Sequence, residues 1–269
     1  MSDSQVKLVA FDLDGTLVGR DLQVRPLVVD AIGRMLAAGV RGCIVTGRMY
    51  RAAVTFARRL GLDGPVVCYQ GAAIIDPQTD ALLRDVPLAV ETVRALIDIV
   101  ERDRRHLQLY RNDEYYCESR NRFSDLYASL SNVQPVIVPS LRETFAFSHA
   151  TKAVVIDDPT AAESYALRLR DALGERAYVT RSYPEFVEVL NPTVDKGDAL
   201  QFVAAHLGIE MKEIVAIGDS WNDTPLLQAA GFGVAMGSAP PELRSVARAV
   251  VAGVEQDGVA EAIDRYVLA

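Results

Sequence analysis

Acidic side chains recur in this sequence at points where predicted strands end. Asp12 and Asp14 lie in the segment Asp-Leu-Asp-Gly-Thr, directly after a run of apolar residues. Asp219 and Asp223 lie in the segment Gly-Asp-Ser-Trp-Asn-Asp, directly after another such run. Unpaired carboxylates at one place repel each other, so four converging acids are hard to explain as a stabilising feature. The pattern therefore predicts that a cation is bound among them.

The donor types indicate which cation and which chemistry. Magnesium prefers oxygen ligands and takes one or two carboxylates together with water and a substrate phosphate. Phosphoryl transfer fits this set, because an aspartate can act as nucleophile through an aspartyl-phosphate and a second carboxyl group can move the protons. Asp12 and Asp14, two residues apart at a strand end, can project toward the same space. The cation and the ammonium group of Lys196 would offset the charge of the transferring group.

The elements that carry these residues alternate regularly at both ends of the chain. Near-continuous apolar runs at 6–11, 42–45 and 66–69 are separated by helical patterns, and the alternation resumes at Lys196 and continues through the run at 214–217. Such runs suit strands that are buried on both faces of a parallel sheet. We expect an α/β fold with a doubly wound, mainly parallel sheet, in which function gathers at the carboxyl ends of the strands.

The middle of the chain follows a different pattern and predicts a second domain. Helical segments there are interleaved with paired strand-like segments, two of which flank Asn112 and Asp113 in a hairpin pattern. We expect a discontinuous catalytic core at 1–85 and 188–269, with a smaller inserted α/β cap domain at 86–187.

Composition excludes several classes of protein. The 269 residues carry 28 basic and 36 acidic side chains, a formal net charge of −8, and this argues against a non-specific nucleic-acid binder. No apolar run approaches the length needed to span a membrane, and the start lacks the layout of a signal peptide, so we expect a cytoplasmic protein with no membrane partner. The three cysteines form no CxxC pair, so neither a disulfide framework nor a structural zinc site is expected.

Four motifs in order carry a resemblance to a known family. DLDGT, VTGR, the lysine of DKGDAL, and GDSWND resemble the motifs of the haloacid-dehalogenase-like (HAD) superfamily of phosphatases. The phrases LVAFDLDGTLV, GVAMG and DGVAEAI extend the resemblance to the Cof-type subfamily, whose α/β cap is inserted between the second and third motifs. The resemblance covers nearly the whole chain and implies a HAD-like, Rossmann-type core with such a cap.

The resemblance also implies roles for individual residues. Asp12 corresponds to the nucleophile, and Asp14 corresponds to the general acid and base that also gives its main-chain carbonyl to Mg²⁺. The remaining implied roles are metal binding by Asp12, Asp14 and Asp219, phosphate binding by Thr46, Gly47, Lys196 and Asn222, and support of the metal shell or orientation of Lys196 by Asp223. Two departures, Gln70-Gly71-Ala72 in place of the Asn-Gly-Ala of many relatives and the pair Ser220-Trp221, fall at the expected pocket rim.

Substrate specificity is assigned to a further group of residues. Arg48 follows the second motif and has two open roles, one facing phosphate and one in a structural ion pair. The cap residues that could meet the leaving group are Tyr110, Arg111, Asn112, Tyr115 and Tyr116. The alternative is that half or more of these five are ordinary sheet and hairpin residues. Hinges of the cap are expected at 85–87 and 191–194.

These features together predict a Mg²⁺-dependent phosphatase of small phosphorylated metabolites, with sugar phosphates as the leading class and an aspartyl-phosphate intermediate. A sugar phosphotransferase or phosphomutase with the same nucleophile is an alternative, and a non-catalytic phospho-aspartate regulatory module is another. A serine hydrolase is disfavoured because all three histidines precede Ser220, whereas that arrangement places its histidine after the serine. The sequence leaves the individual metabolite and the oligomeric state open.

Overall fold

The computed structural model describes residues 5–269, which divide into two compact units. The first unit comprises the chain up to Gly47 together with Ala53–Leu83 and Asp195–Ala269. The second unit comprises Arg48–Ala52 and Arg84–Val194.

Within the described residues the chain forms fourteen strands. They are β1 (Leu8–Phe11), β2 (Arg41–Ile44), β3 (Val66–Cys68), β4 (Ala73–Ile75), β5 (Leu82–Asp85), β6 (His106–Arg111), β7 (Glu114–Cys117), β8 (Val136–Ile137), β9 (Lys152–Ile156), β10 (Tyr178–Arg181), β11 (Phe186–Leu190), β12 (Ile214–Gly218), β13 (Phe232–Ala235) and β14 (Ala249–Val250).

The same residues form ten α-helices. They are α1 (Pro26–Ala37), α2 (Tyr50–Leu60), α3 (Val90–Arg102), α4 (Arg122–Ser131), α5 (Leu141–Thr144), α6 (Pro159–Leu173), α7 (Lys196–Leu207), α8 (Thr224–Ala229), α9 (Pro241–Val246) and α10 (Gly258–Tyr266).

The first unit is built on a five-stranded parallel sheet in the order β14-β13-β12-β1-β2. All four residues of β1 are buried, as the near-continuous apolar run predicts for a central strand. Leu8 and Ala10 share a hydrophobic cluster with Leu200 of α7 and Leu226 of α8, while α1 packs against α10. The predicted α/β fold with a mainly parallel sheet is confirmed. The acidic segments follow β1 and β12 at the carboxyl edge of this sheet.

The second unit is built on a six-stranded sheet in the order β10-β11-β9-β6-β7-β8, in which only the β7–β8 pair is parallel among the described strands. Leu109 and Val155 of this sheet share a hydrophobic cluster with Leu96 of α3 and Leu169 of α6. The predicted hairpin is present between β6 and β7. Its two turn residues have φ of +54° and +56°, which are the left-handed values that a two-residue turn of this kind requires.

The segments on either side of the predicted insertion are tied together. The side-chain amide of Asn191 donates a hydrogen bond to the carbonyl oxygen of Pro87 over 2.8 Å. Strand β11 continues through the predicted boundary at 187–188, because its ladder with β9 and β10 extends from Phe186 to Leu190. The domain boundaries at 86 and 187 stay a prediction.

Sequence reasoning did not anticipate helix α4 of the second unit. Asn121 begins it by accepting from the backbone N–H groups of Phe123 and Ser124, and the Ser124 hydroxyl completes a capping box. Among residues 5–269, no helix is both long enough and apolar enough to cross a membrane.

The turn after α3 yields a prediction about stability. Arg104 is exposed and has φ of +54°, a conformation that costs a residue with a Cβ about 1–2 kcal/mol and costs glycine little. Against this gain, glycine lowers the stability of the folded state by about 0.5–1 kcal/mol, because the unfolded chain has more conformational freedom to lose. Arg104→Gly should therefore raise the free energy of unfolding by about 0.5–1 kcal/mol, measured by urea denaturation. Glu163→Gly, in the middle of α6, is the control and should lower it by about 1 kcal/mol.

Candidate active site

Lys196 and two aspartates form a buried charge cluster at the carboxyl edge of the parallel sheet. Asp12 follows β1, Asp223 ends a single helical turn after β12, and Lys196 is the first residue of α7. The ammonium Nζ of Lys196 lies 2.5 Å from Asp12 Oδ1 and 2.5 Å from Asp223 Oδ1. All three side chains are buried. The ammonium therefore joins residues that are 184 and 27 positions away in the chain.

Asp223 is held by more than the lysine. Its Oδ2 accepts the backbone N–H groups of Asp219 and Ser220, each over 2.9 Å. Both carboxylate oxygens of Asp223 are thus engaged within the protein. These contacts support the predicted role of Asp223 in orienting Lys196.

Asp219 lies beside the first acidic segment. The Thr16 hydroxyl donates to Asp219 Oδ1 over 3.1 Å. Gly15 has φ of +87°, and a Cβ there would collide with the carboxylate of Asp219, 2.6 Å from its Cγ. Only glycine allows this backbone to pass so close to the carboxylate.

The carboxylates of Asp12, Asp219 and Asp223 form a group with oxygens that lie within 4.8 Å of one another. This group could hold a metal ion. Asp14, half-buried and bridged to Val18, is expected to bind through its main-chain carbonyl, and its carboxylate is outside this group of described residues.

Burial and mutual repulsion disturb the ionisation of these acids. Burial, together with the negative charge of Asp223, raises the pKa of Asp12 to about 7, although Lys196 opposes the shift. Burial and the charges of Asp12 and Asp223 likewise raise the pKa of Asp219 well above its usual value. One ammonium is too little positive charge for three carboxylates, so the cluster favours binding of a proton or a cation.

The residues expected to bind phosphate lie on neighbouring loops of the same unit. Thr46 follows β2 and donates its backbone N–H to Val67 of β3 over 2.9 Å. Asn222 lies between Asp219 and Asp223, and its side-chain amide donates to Gln70 Oε1 over 2.9 Å. The loops after β2, β3 and β12 therefore meet through Thr46, Gln70 and Asn222.

The residues expected to set specificity belong to the second unit. Arg48 is buried, and its charge partly opposes the effect of burial, which raises the pKa of the Tyr127 phenol. Tyr110 and Tyr115 are fully buried, their rings stack at 5.7 Å, and Tyr127 meets both edge-on. These contacts are typical of core packing.

The other three predicted specificity residues surround the hairpin. The guanidinium of Arg111 lies over the rings of Tyr116 and Phe145. Asn112 takes a left-handed turn conformation. A cavity of about 490 Å³ in the second unit is lined by a different set of residues, among them His106, Asn121 and Phe123.

Two residues of the first unit were not in the predicted site. Thr16 is buried and holds Asp219, and its place in the DLDGT motif could have indicated this. Gln70 is buried and holds Asn222. Its position at a strand end and its departure from the Asn-Gly-Ala of many relatives placed it at the expected pocket rim, but nothing in the sequence indicates a partner 152 residues away.

Comparison with known proteins identifies the family. The model of the haloacid dehalogenase-like hydrolases matches residues 9–263. The chain belongs to this family. The 5-amino-6-(5-phospho-D-ribitylamino)uracil phosphatase YitU of Bacillus subtilis is 30% identical over 269 residues, which are 96% of this chain and 97% of that protein. The pyridoxal phosphate phosphatase YbhA of Escherichia coli is 29% identical over 271 residues, which are 97% of this chain and 99% of that protein.

Solved structures agree with this assignment. A haloacid dehalogenase-like hydrolase from Bacteroides thetaiotaomicron superposes with a TM-score of 0.86 at 26% identity, covering 97% of this chain and 99% of that one. The protein is a Cof-type HAD hydrolase and a phosphoric monoester hydrolase. The resemblance drawn from the four motifs is confirmed.

The approach of Gly15 to Asp219 yields a test of the site. Gly15→Ala should lower kcat/KM at least 100-fold, because the added methyl group displaces the Asp219 carboxylate and a displacement of about 1 Å costs roughly that factor. Steady-state kinetics at saturating metal measure the effect. Gly33→Ala in α1 is the matched control, since its Cβ meets nothing within 4 Å, and it should leave activity unchanged. Equal activity of the two variants would contradict this geometry.

Proposed function

We propose that this hydrolase is a Mg²⁺-dependent phosphatase of small phosphorylated metabolites, with sugar phosphates as the leading class, and that it acts through phosphorylation of Asp12. The observation that carries the proposal is the buried ammonium of Lys196 at 2.5 Å from both Asp12 and Asp223. A carboxylate held in one orientation by a buried cation suits a nucleophile that must approach a dianionic phosphate.

The donor set fits a magnesium ion. The three carboxylates within 4.8 Å of one another supply an excess of negative charge, and those of Asp12 and Asp219 offer oxygen ligands. Asp12, Asp219 and the main-chain carbonyl of Asp14 would hold the ion. When bound, Mg²⁺ supplies positive charge that offsets the charge of the phosphoryl group.

The side chains of the protein would carry both halves of the reaction. A carboxylate oxygen of Asp12 forms a bond to phosphorus as the bond from phosphorus to the alcohol oxygen breaks, and Asp14 gives a proton to that oxygen. Water then attacks the phosphorus while Asp14 takes its proton. The bond between phosphorus and Asp12 breaks, which releases inorganic phosphate and restores the Asp12 carboxylate.

Phosphate binding falls to a second set of residues. Lys196 orients Asp12 and provides positive charge beside the reacting group. Thr46 and Gly47 lie after β2, where a hydroxyl and a backbone N–H can donate to phosphate oxygens. Asn222 supplies an amide next to the acidic cluster.

Two relatives support the substrate class. One is named for a phospho-ribitylamino-uracil and the other for pyridoxal phosphate, and both of these are small phosphorylated metabolites. Inorganic phosphate release, measured over a panel of sugar, sugar-alcohol and cofactor phosphates with Mg²⁺ present, tests the proposal. Appearance of an isomeric sugar phosphate without inorganic phosphate would indicate a phosphomutase instead.

The two aspartates of the first motif should fail in different ways. Asp12→Asn should abolish turnover, because the amide is a far weaker nucleophile. Asp14→Asn should lower kcat/KM at least 100-fold for alkyl phosphates and less for p-nitrophenyl phosphate, whose leaving group needs no proton, while kcat should fall for both because Asp14 also takes the proton of the attacking water. Asp171→Asn, an exposed acid on α6, is the control and should change neither rate. Full activity of Asp12→Asn would contradict the proposed nucleophile.

Metal binding should depend on pH. A cation needs ionised carboxylates, and the pKa of Asp12 in the metal-free protein is raised to about 7 by burial and by Asp223. At pH 6 about a tenth of Asp12 is ionised and at pH 8 about nine-tenths, so Mg²⁺ should bind at least tenfold more tightly at pH 8, since the pKa of the second carboxylate ligand, Asp219, is raised as well. Calorimetric titration in buffers of different ionisation enthalpy measures both the affinity and the protons released. Chelation should remove activity, and added Mg²⁺ should restore it.

A further inference from the structure

Gln70 occupies an unusual backbone conformation beside the candidate site. Tyr69 and Gln70 both have positive φ, +52° and +59°, between strands β3 and β4. Successive residues other than glycine rarely adopt this conformation, and such positions persist where the surrounding structure fixes them. Gln70 is buried, and its backbone N–H donates to the carbonyl oxygen of Thr46 over 3.0 Å.

The side chain of Gln70 connects two other loops. Its Oε1 accepts the hydrogen bond from Asn222 Nδ2 over 2.9 Å. Its Nε2 lies against Gly47 so closely that a Cβ at Gly47 would collide with it. The amide of Gln70 therefore fills the space between the loop after β2 and the loop after β12.

Asn222 depends on this contact for its orientation. Its side chain is buried, and its Oδ1 is one of the buried polar atoms without a hydrogen-bond partner among the described residues. The amide nitrogen of an asparagine carries two hydrogens. Because one of them is donated to Gln70, the directions of the second hydrogen and of Oδ1 are fixed. A buried polar group left unpaired in this way is typical of a binding site that its ligand completes.

We propose that Gln70 is a positioning residue for the binding of a phosphate group. It fixes the orientation of the Asn222 amide and packs against Gly47. This inference rests on the proposed function, because that function assigns phosphate binding to Gly47 and Asn222. Gln70 acts through these two residues and takes no part in proton transfer. Its loss should therefore weaken phosphate binding and leave the chemical step largely intact.

The variant that separates these effects is Gln70→Met, which keeps the length of the side chain and removes the acceptor. We expect KM, and the inhibition constant of inorganic phosphate, to rise about tenfold, the effect of roughly one lost hydrogen bond, with kcat within about threefold. Gln78→Met, an exposed glutamine changed in the same way, is the matched control and should change neither constant.

A double-mutant cycle with Asn222→Ala tests the coupling. Because Gln70→Met keeps the length of the side chain beside Gly47 and removes only the acceptor for Asn222, its double variant with Asn222→Ala should bind phosphate about as weakly as Asn222→Ala alone. Effects that multiply would overturn the proposal, as would an unchanged KM in Gln70→Met. Thermal denaturation of each variant identifies loss of folding, and Gln70→Leu, which also lacks the acceptor, must weaken phosphate binding at least as much as Gln70→Met.

The same variants distinguish failure of this inference from failure of the proposed function. If the parent protein releases no phosphate from any member of the panel, the proposed function is wrong. Calorimetric binding of inorganic phosphate with Mg²⁺ present then still tests Gln70. Equal affinity of the parent protein and Gln70→Met would overturn the positioning role in either case.

Discussion

The ammonium of Lys196, buried between Asp12 and Asp223, is the interaction on which the first unit depends. Burial alone disfavours the charged ammonium, but the two carboxylates outweigh this effect and raise the pKa of Lys196. A buried charge that loses its partner costs about 3–5 kcal/mol, so the three side chains must be placed together or not at all. Because they come from the end of β1, the start of α7 and the turn after β12, this requirement holds the two ends of the chain in one sheet.

The strand register of the parallel sheet places these side chains together. In β1 and β12 the register pairs Phe11 with Ile217, so Asp12 follows β1 beside Gly218, the last residue of β12, and Asp219 comes directly after it. A shift of one residue would turn every side chain of a strand to the opposite face. Apolar burial on both faces therefore stabilises the sheet, and because it also fixes the strand register, it determines where the acids lie.

Much of this could be predicted from the sequence, and the rest has a physical reason for being hidden. Apolar runs and the motifs at strand ends are local signals, and they correctly indicated the sheet and the convergence of Asp12, Lys196 and Asp219. The bond between Gln70 and Asn222 joins positions 152 residues apart, and the left-handed residues Tyr69 and Gln70 are not glycines, so only Gly71 after them signals the turn. The burial of Tyr110 and Tyr115 depends on α4, whose start relies on the capping contacts of Asn121 rather than on a strong apolar pattern.

The acidic cluster lowers the stability of the metal-free fold at neutral pH. The pKa of Asp12 is raised in the folded protein, mainly by burial, so its proton is bound more tightly there than in the unfolded chain. The resulting contribution to stability is fully present below about pH 4 and is lost as the pH rises through about 7. At neutral pH and above, therefore, the ionised carboxylate opposes folding, and Lys196 offsets only part of the repulsion. Under the proposed function this state has a purpose, since the same negative charge that costs stability is what a bound cation requires. The net charge of −8 is thus compatible with an anionic substrate, provided that the cation arrives first.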